Sequence, residues 1–318
     1  MNALTEVAAL LACPECGDAL LPHDRALRCG SGHSFDIARQ GYVGLLTGAS
    51  TKMTGDTADM LDARAAFQGA GHFAPITEAT ARAFAADPRA EFRADTATRP
   101  AQPTAAPAST DPARDRSSAC RSASTAPDIS AVLEIGAGTG YYLAALLDTH
   151  PGAFGIALDV AKPAARRAAR AHPRLASVLA DAWRGLPVRD HSLTGVLSVF
   201  APRNPAEVAR VLAPGGRFVV VTPTTRHLGE LIGPLGMVRV DPDKDRRLAE
   251  ALSGTFTRTE HTLVEFPMTL SRTDVTNVVA MGPSAFHSTP ADDPRIAALP
   301  ESTEVTASVT VSTYRTTG

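Results

Sequence analysis

Cys13, Cys16, Cys29 and His33 stand in the spacing Cys-x2-Cys-x12-Cys-x3-His. Three thiols and an imidazole are the donors that a tetrahedral zinc ion takes, and four protein ligands leave no open position for water, so the ion is expected to be structural. His23 competes for the fourth place, but it lies mid-loop, whereas three residues separate His33 from Cys29. A second constellation begins at Gly136. Gly136, Gly138 and Gly140 form Gly-x-Gly-x-Gly, with Ala137 and Thr139 between them and Glu134 two positions before. Glycines there permit a tight turn and let backbone approach a ligand closely. Asp159 lies 19 residues after Gly140, at the end of the next apolar run, where a carboxylate can accept both ribose hydroxyls of an adenosine. Asp181, ending a third run, is placed to meet the adenine edge. Helix capping is the alternative use of both acids.

The elements that must hold these residues alternate in type. Apolar runs at 132–135, 154–160, 177–181, 193–200 and 217–222 read as strands, with helices from Tyr141 to about Leu147, at 161–171, at 205–212, near His227–Leu231 and near Asp243–Leu252. Two later runs, at 256–266 and 304–314, suit an antiparallel pair at a sheet edge. Upstream, residues 55–87 read as two helices that break near Gly69–Gly71. The predicted fold is α/β: a doubly wound, mostly parallel, Rossmann-like sheet with a small N-terminal zinc-binding module. The expected division is 1–50 for the metal module, 51–92 for a helical connection, 93–127 for a linker and 128–318 for the catalytic domain. In the linker, Ala, Pro, Ser and Thr fill 25 of 35 positions, too little apolar surface to offset the entropy of ordering it.

Composition narrows the function further. Three of the 4 cysteines are committed to the metal cluster and the fourth, Cys120, lies in the linker, so no disulfide framework is possible. The N-terminal stretch lacks a basic n-region and a long apolar run, and nothing approaches a membrane span in length, so a cytoplasmic protein without membrane contact is expected. The net charge of -2 gives no global attraction for nucleic acid. A basic surface must come from local clusters such as Arg166, Arg167, Arg170 and Arg174, whose alternative is a solvated helix face. The metal module offers Arg25, Arg28, Arg39 and Lys52.

The glycine turn, Asp159 and the stretch VLAPGG (211–216) resemble the class I S-adenosylmethionine-dependent methyltransferases. Joined to the metal module, and with GDTADMLDARAAFQGAGHFAPI, LDVAKPAARRAARAHP and TPTTRHLGEL, the chain resembles the bacterial 23S rRNA guanine-N1-methyltransferases, the RlmA family. VFAPRNPAE, DKDRRLAEAL and VVAMGPSAFH resemble its Gram-positive branch, which includes actinomycete enzymes linked to tylosin-type macrolide resistance. The resemblance implies methyl transfer from S-adenosylmethionine to N1 of a guanine in a 23S rRNA hairpin loop by the peptide tunnel, by a homodimer. It implies zinc on Cys13, Cys16, Cys29 and His33, and donor contacts from the glycine turn, Asp159, His227 and the aromatic after His72. That aromatic is Phe73, which keeps ring stacking and forgoes a phenol hydroxyl contact.

Guanine N1 carries a proton and lies on the Watson–Crick edge, so the target must be unpaired and a base or water must take the proton. Phe200–Asn204, at the end of the fourth strand, is where ligands meet an open sheet. Arg203 could hold phosphate or O6 and Asn204 could pair with a base edge; Asn204 as a helix cap is the alternative. The sequence does not single out the proton acceptor; Asp56, Asp59 and Glu207 are candidates by charge alone. Two other functions fit parts of the chain. A small-molecule methyltransferase needs no extra gripping module, and a non-enzymatic zinc and RNA-binding module needs no intact glycine turn.

Overall fold

The computed structural model describes residues 3–48, 51, 53–85, 130–282 and 290–317; the expected linker, with Cys120, lies outside them. The chain begins with α1 (Ala3–Val7), followed by β1 (Leu20–His23), β2 (Ala26–Cys29) and β3 (Ser34–Asp36), an antiparallel sheet in that order. Asp24, in the β1–β2 turn, takes φ 52°, the left-handed conformation that two-residue hairpin turns demand. Then come β4 (Tyr42–Gly44), α2 (Ala58–Gly69) and α3 (Ala74–Ala85), with Thr57 capping α2 through the N–H of Met60.

The main domain runs β5 (Ala131–Ile135), α4 (Tyr141–Thr149), β6 (Phe154–Asp159), α5 (Lys162–Ala168), β7 (Leu175–Leu179), β8 (Leu193–Val199), α6 (Pro205–Val211) and β9 (Leu212–Pro223). It continues with α7 (Gly229–Leu235), α8 (Lys244–Leu252), β10 (Phe256–Ser271), α9 (Arg272–Ala280), α10 (Pro294–Ala297) and β11 (Ser302–Thr316). Eight strands form one sheet in the order β10-β11-β9-β8-β5-β6-β7-β4. Five pairings are parallel and the two that involve β11 are antiparallel, as the doubly wound reading requires. From β5 the chain winds outward through β6 and β7, then returns to the other side of β5 through β8 and β9. The sheet therefore has its switch point between the carboxyl ends of β5 and β8, where a crevice opens.

Period-two alternation splits the apolar residues between two cores. In β9, Phe218 and Val220 face the core that holds Leu133, Ile156 and Leu248, while Val219 and Val221 face the one that holds Phe67, Phe84 and Leu143. Two elements depart from the expected plan. β4 joins the main sheet, pairing in parallel with β7, although it follows the metal ligands by only a few residues. α9 was not expected, although its capping box, Ser271 and Asp274, is a legible start signal.

Candidate active site and metal centre

Two tight backbone turns bring the metal donors together. The N–H of Gly17 donates to Cys13 O at 2.8 Å, and that of Gly32 to Cys29 O at 3.1 Å, with φ of 81° and 90° at the glycines. Cys13 Sγ lies 3.6 Å from His33 Nδ1, Cys29 Sγ 3.3 Å from the same nitrogen, and Cys16 Sγ 3.6 Å from Cys29 Sγ. A tetrahedral zinc ion at ordinary bond lengths requires about 3.8 Å between sulfurs and about 3.5 Å between sulfur and nitrogen. The donor set fits zinc, and among the described residues it is the one cluster of this kind. Burial raises the Cys13 thiol to about 11, and a bound cation would favour its thiolate. His23 points elsewhere, to Asp24 and to Arg28 at 3.4 and 3.2 Å.

At the switch point the glycine turn closes one wall of a cleft of about 1060 Å³. Gly136 and Gly138 take φ of 69° and 54°. A Cβ on Gly136 would stand 2.6 Å from that of Ala201, so a side chain is excluded there by space as well as by backbone conformation, while at Gly138, where the nearest atom is the mobile Nη1 of Arg64 at 2.8 Å, the positive φ is what favours glycine. Asp159 accepts the N–H of Gly138 and that of Ala161, both at 2.8 Å. Burial nevertheless raises its pKa. Glu134 is buried on β5, where desolvation pushes its carboxyl up to about 8, and it accepts the N–H of Leu143 at 3.2 Å in the first turn of α4. Thr139 donates to Gln68 on α2 at 2.7 Å. Asp181 faces the cleft and also caps a short 3-10 turn through the N–H of Trp183 at 3.0 Å; Thr51 donates to its other oxygen.

Phe73 is 1% exposed and lines the cleft, with its ring centroid 6.0 Å from that of His227. His227 accepts the N–H of Ser308 through Nδ1 at 3.2 Å, and burial, helped by the charge of Lys244, lowers its pKa to about 4. Arg203 also lines the cleft; its Nη1 is buried with no hydrogen-bond partner, and burial lowers its pKa. Asn204 caps α6, accepting the N–H of Glu207.

The other carboxylates proposed from charge are occupied or turned away. Asp56 pairs with Arg64 at 2.5 Å, Glu207 binds Arg210 and the N–H of Leu186, both at 2.7 Å, and Asp59 is exposed. Within the arginine cluster, Arg167 pairs with Asp62, and Arg174 donates to the carbonyls of His150 and Ala153 near the end of α4. Arg28 donates to Ser34, and Lys52 lies outside the described residues. Sequence reasoning missed Arg64, Gln68 and Lys244. Only the packing of α2 and α8 brings them to the cleft; the stretches GDTADMLDARAAFQG and DKDRRLAEAL carried the signal without the partner.

Residues 11–50 match the family model described as RlmA, N-terminal, a zinc ribbon, and residues 132–216 match a methyltransferase domain. A Streptomyces fradiae protein named 23S rRNA (guanine(748)-N(1))-methyltransferase is 44% identical over 310 residues, 97% of this chain and 98% of its own. A Micromonospora griseorubida protein, whose name assigns it 23S rRNA (guanine-N(1)-)-methyltransferase activity provisionally, is 46% identical over 311 residues, 96% of this chain and 97% of its own. Among solved structures, a methyltransferase from Thiobacillus denitrificans in complex with S-adenosyl-L-homocysteine aligns over 59% of this chain and 85% of its own, at 15% identity and a TM-score of 0.37. With both modules matched, and relatives aligned from end to end at this identity, the chain belongs to the 23S rRNA (guanine-N1)-methyltransferases whose N-terminal module is the RlmA zinc ribbon.

Proposed function

We propose that this protein methylates N1 of a guanine in a 23S rRNA hairpin loop near the peptide exit tunnel, giving resistance to tylosin-type macrolides. The observation that carries the reading is the match to the Streptomyces fradiae enzyme over 98% of that protein, zinc ribbon and methyltransferase domain together. When bound, S-adenosylmethionine supplies a methyl group on an already activated sulfonium, and the glycine turn 136–140, Asp159 and Asp181 are the residues that would hold it. The chain's own task is alignment, which is why rigid backbone and buried acids dominate this wall of the cleft. Asp159 fixes the turn through two backbone N–H groups, and Glu134 fixes the start of α4 behind it. A loop guanine leaves its Watson–Crick edge free to enter.

The zinc-bearing segment, residues 1–50, serves as the rRNA-gripping module, and the catalytic domain spans 128–318. The protein acts as a cytoplasmic homodimer. No helix of the described residues is long and apolar enough to cross a membrane. β10, at the sheet edge, leaves Leu263 59% exposed, an apolar site that a second copy would cover. Sedimentation of the pure protein tests the dimer. For the activity, the protein is incubated with labelled donor and deproteinised 23S rRNA, and the product is read by primer extension. A new stop at one guanine is expected; label in cell metabolites and none in rRNA would overturn the assignment.

A further inference from the structure

Phe200 follows β8 with φ 54°, a conformation that costs a bulky L-residue dearly. Its surroundings impose it. The Phe200 N–H donates to Val221 O at 3.1 Å, and the next residue, Ala201, is wedged against Gly136. The ring that results is large and apolar, lines the cleft, and is 40% exposed. It ends a ladder of rings that climbs out of the core: Phe67 to Phe73 at 5.0 Å, Phe73 to His227 at 6.0 Å, His227 to Phe200 at 5.7 Å. His227 is neutral, with Nδ1 accepting from backbone, so its hydrogen sits on Nε2. In the same cleft, Arg203 and Lys244 form no ion pair among the described residues; burial lowers the pKa of both, and the Arg203 charge lowers that of Lys244 further, against a smaller opposing pull from Asp241.

We propose that Phe200 is the stacking partner of the extruded guanine, backed by His227, and that Arg203 with Lys244 receives the phosphate beside it. The inference rests on methyl transfer to a ribosomal guanine. A base pulled from its stack needs another π-face, and an exposed aromatic ring beside the donor's glycine turn offers one. Arg203, with a buried Nη1 that has no hydrogen-bond partner, and Lys244, which makes no ion pair among the described residues, suit a phosphodiester.

The test uses the full-length protein saturated with S-adenosylhomocysteine and two RNA hairpins: one with the guanine mapped by primer extension, the other with an abasic ribose there. Wild type should prefer the guanine hairpin. Phe200→Leu, which keeps volume without a π-face, should reduce that preference by roughly 5- to 150-fold and leave S-adenosylhomocysteine affinity within about twofold; Phe200→Tyr should restore it. Lys244→Met should weaken both hairpins alike and lower the salt slope of binding by about one. Full preference in Phe200→Leu, or a parallel loss of S-adenosylhomocysteine affinity, overturns the stacking role. An unchanged salt slope overturns the phosphate role. Wild type that leaves rRNA unmethylated overturns the functional assignment itself, and this inference with it, whereas an active wild type with an indifferent Phe200→Leu overturns the inference alone.

Discussion

His227 illustrates how burial turns an ordinary side chain into a reporter. Its imidazole titrates near 6.5 in the unfolded chain and at about 4 in the fold, because burial first and the Lys244 charge second oppose protonation. Between those values the unfolded state binds more protons, so stability must fall as pH drops from about 6.5 to about 4 and be unaffected by this group above that window. His227→Asn should flatten that dependence; urea midpoints at pH 7 and pH 5 read it, and an identical pH difference in the variant refutes it. At Asp159, both oxygens are engaged by N–H donors. Asp159→Asn places an amide NH2 against one of them, so a stability loss of about 1–3 kcal/mol is expected, with weaker S-adenosylhomocysteine binding by calorimetry. At Phe200 the backbone can be separated from the ring: Phe200→Gly should be more stable than Phe200→Ala by about 1–2 kcal/mol, since only the alanine keeps the left-handed strain.

Helices α2 and α3 precede the expected linker, and both pack onto the catalytic domain. α2 spans the glycine turn through Arg64 and Gln68, and Arg64 also donates to Met281 O at 2.9 Å after α9. α3 comes so near β8 that a Cβ on Gly195 would lie 2.5 Å from Phe84 Cε1 and 3.3 Å from Val132. Phe84 is buried in the core cluster, where close packing resists displacement of its ring. Gly195→Ala should therefore cost about 1–3 kcal/mol by thermal denaturation, and Phe84→Leu in the same chain should recover part of it. A Gly195→Ala protein as stable as wild type would show that α3 can shift on the sheet.

Across the whole molecule, the metal module and the catalytic sheet share a core. Cys13, Leu20 and Leu27 belong to the same buried cluster as Val178, Val196 and Phe218, joined through α1 and β4. The zinc ribbon is thus fastened to the edge of the large sheet by apolar contact and by the β4–β7 pairing. Removing zinc leaves three thiols and an imidazole with no shared ion, and the loss propagates into that common core. Chelation should lower the melting temperature of the catalytic domain itself, seen as a downward shift of the main calorimetric transition. A separate early transition, with the main one unmoved, would mean that the ribbon folds on its own.

Residue spacing alone determined the four clustered metal-ligand candidates, the glycine turn and the succession of central strands along the chain, because each depends on neighbours within a few residues. Backbone turns set the cysteine knuckles, and a strand–glycine–helix junction is local chemistry. Short continuous apolar runs, each followed by a helix or turn signal, likewise announced β5 to β9. Tertiary structure decided what a side chain is used for once several are available. Asn204 reads equally as a base contact or a cap until α6 shows its side chain accepting the N–H of Glu207. Phe200 is one more apolar residue until the switch point forces its backbone to positive φ and leaves the ring in the cleft. Arg64, Gln68 and Lys244 acquire meaning only from contacts between segments far apart in the chain, and sequence periodicity carries no record of which distant faces will meet.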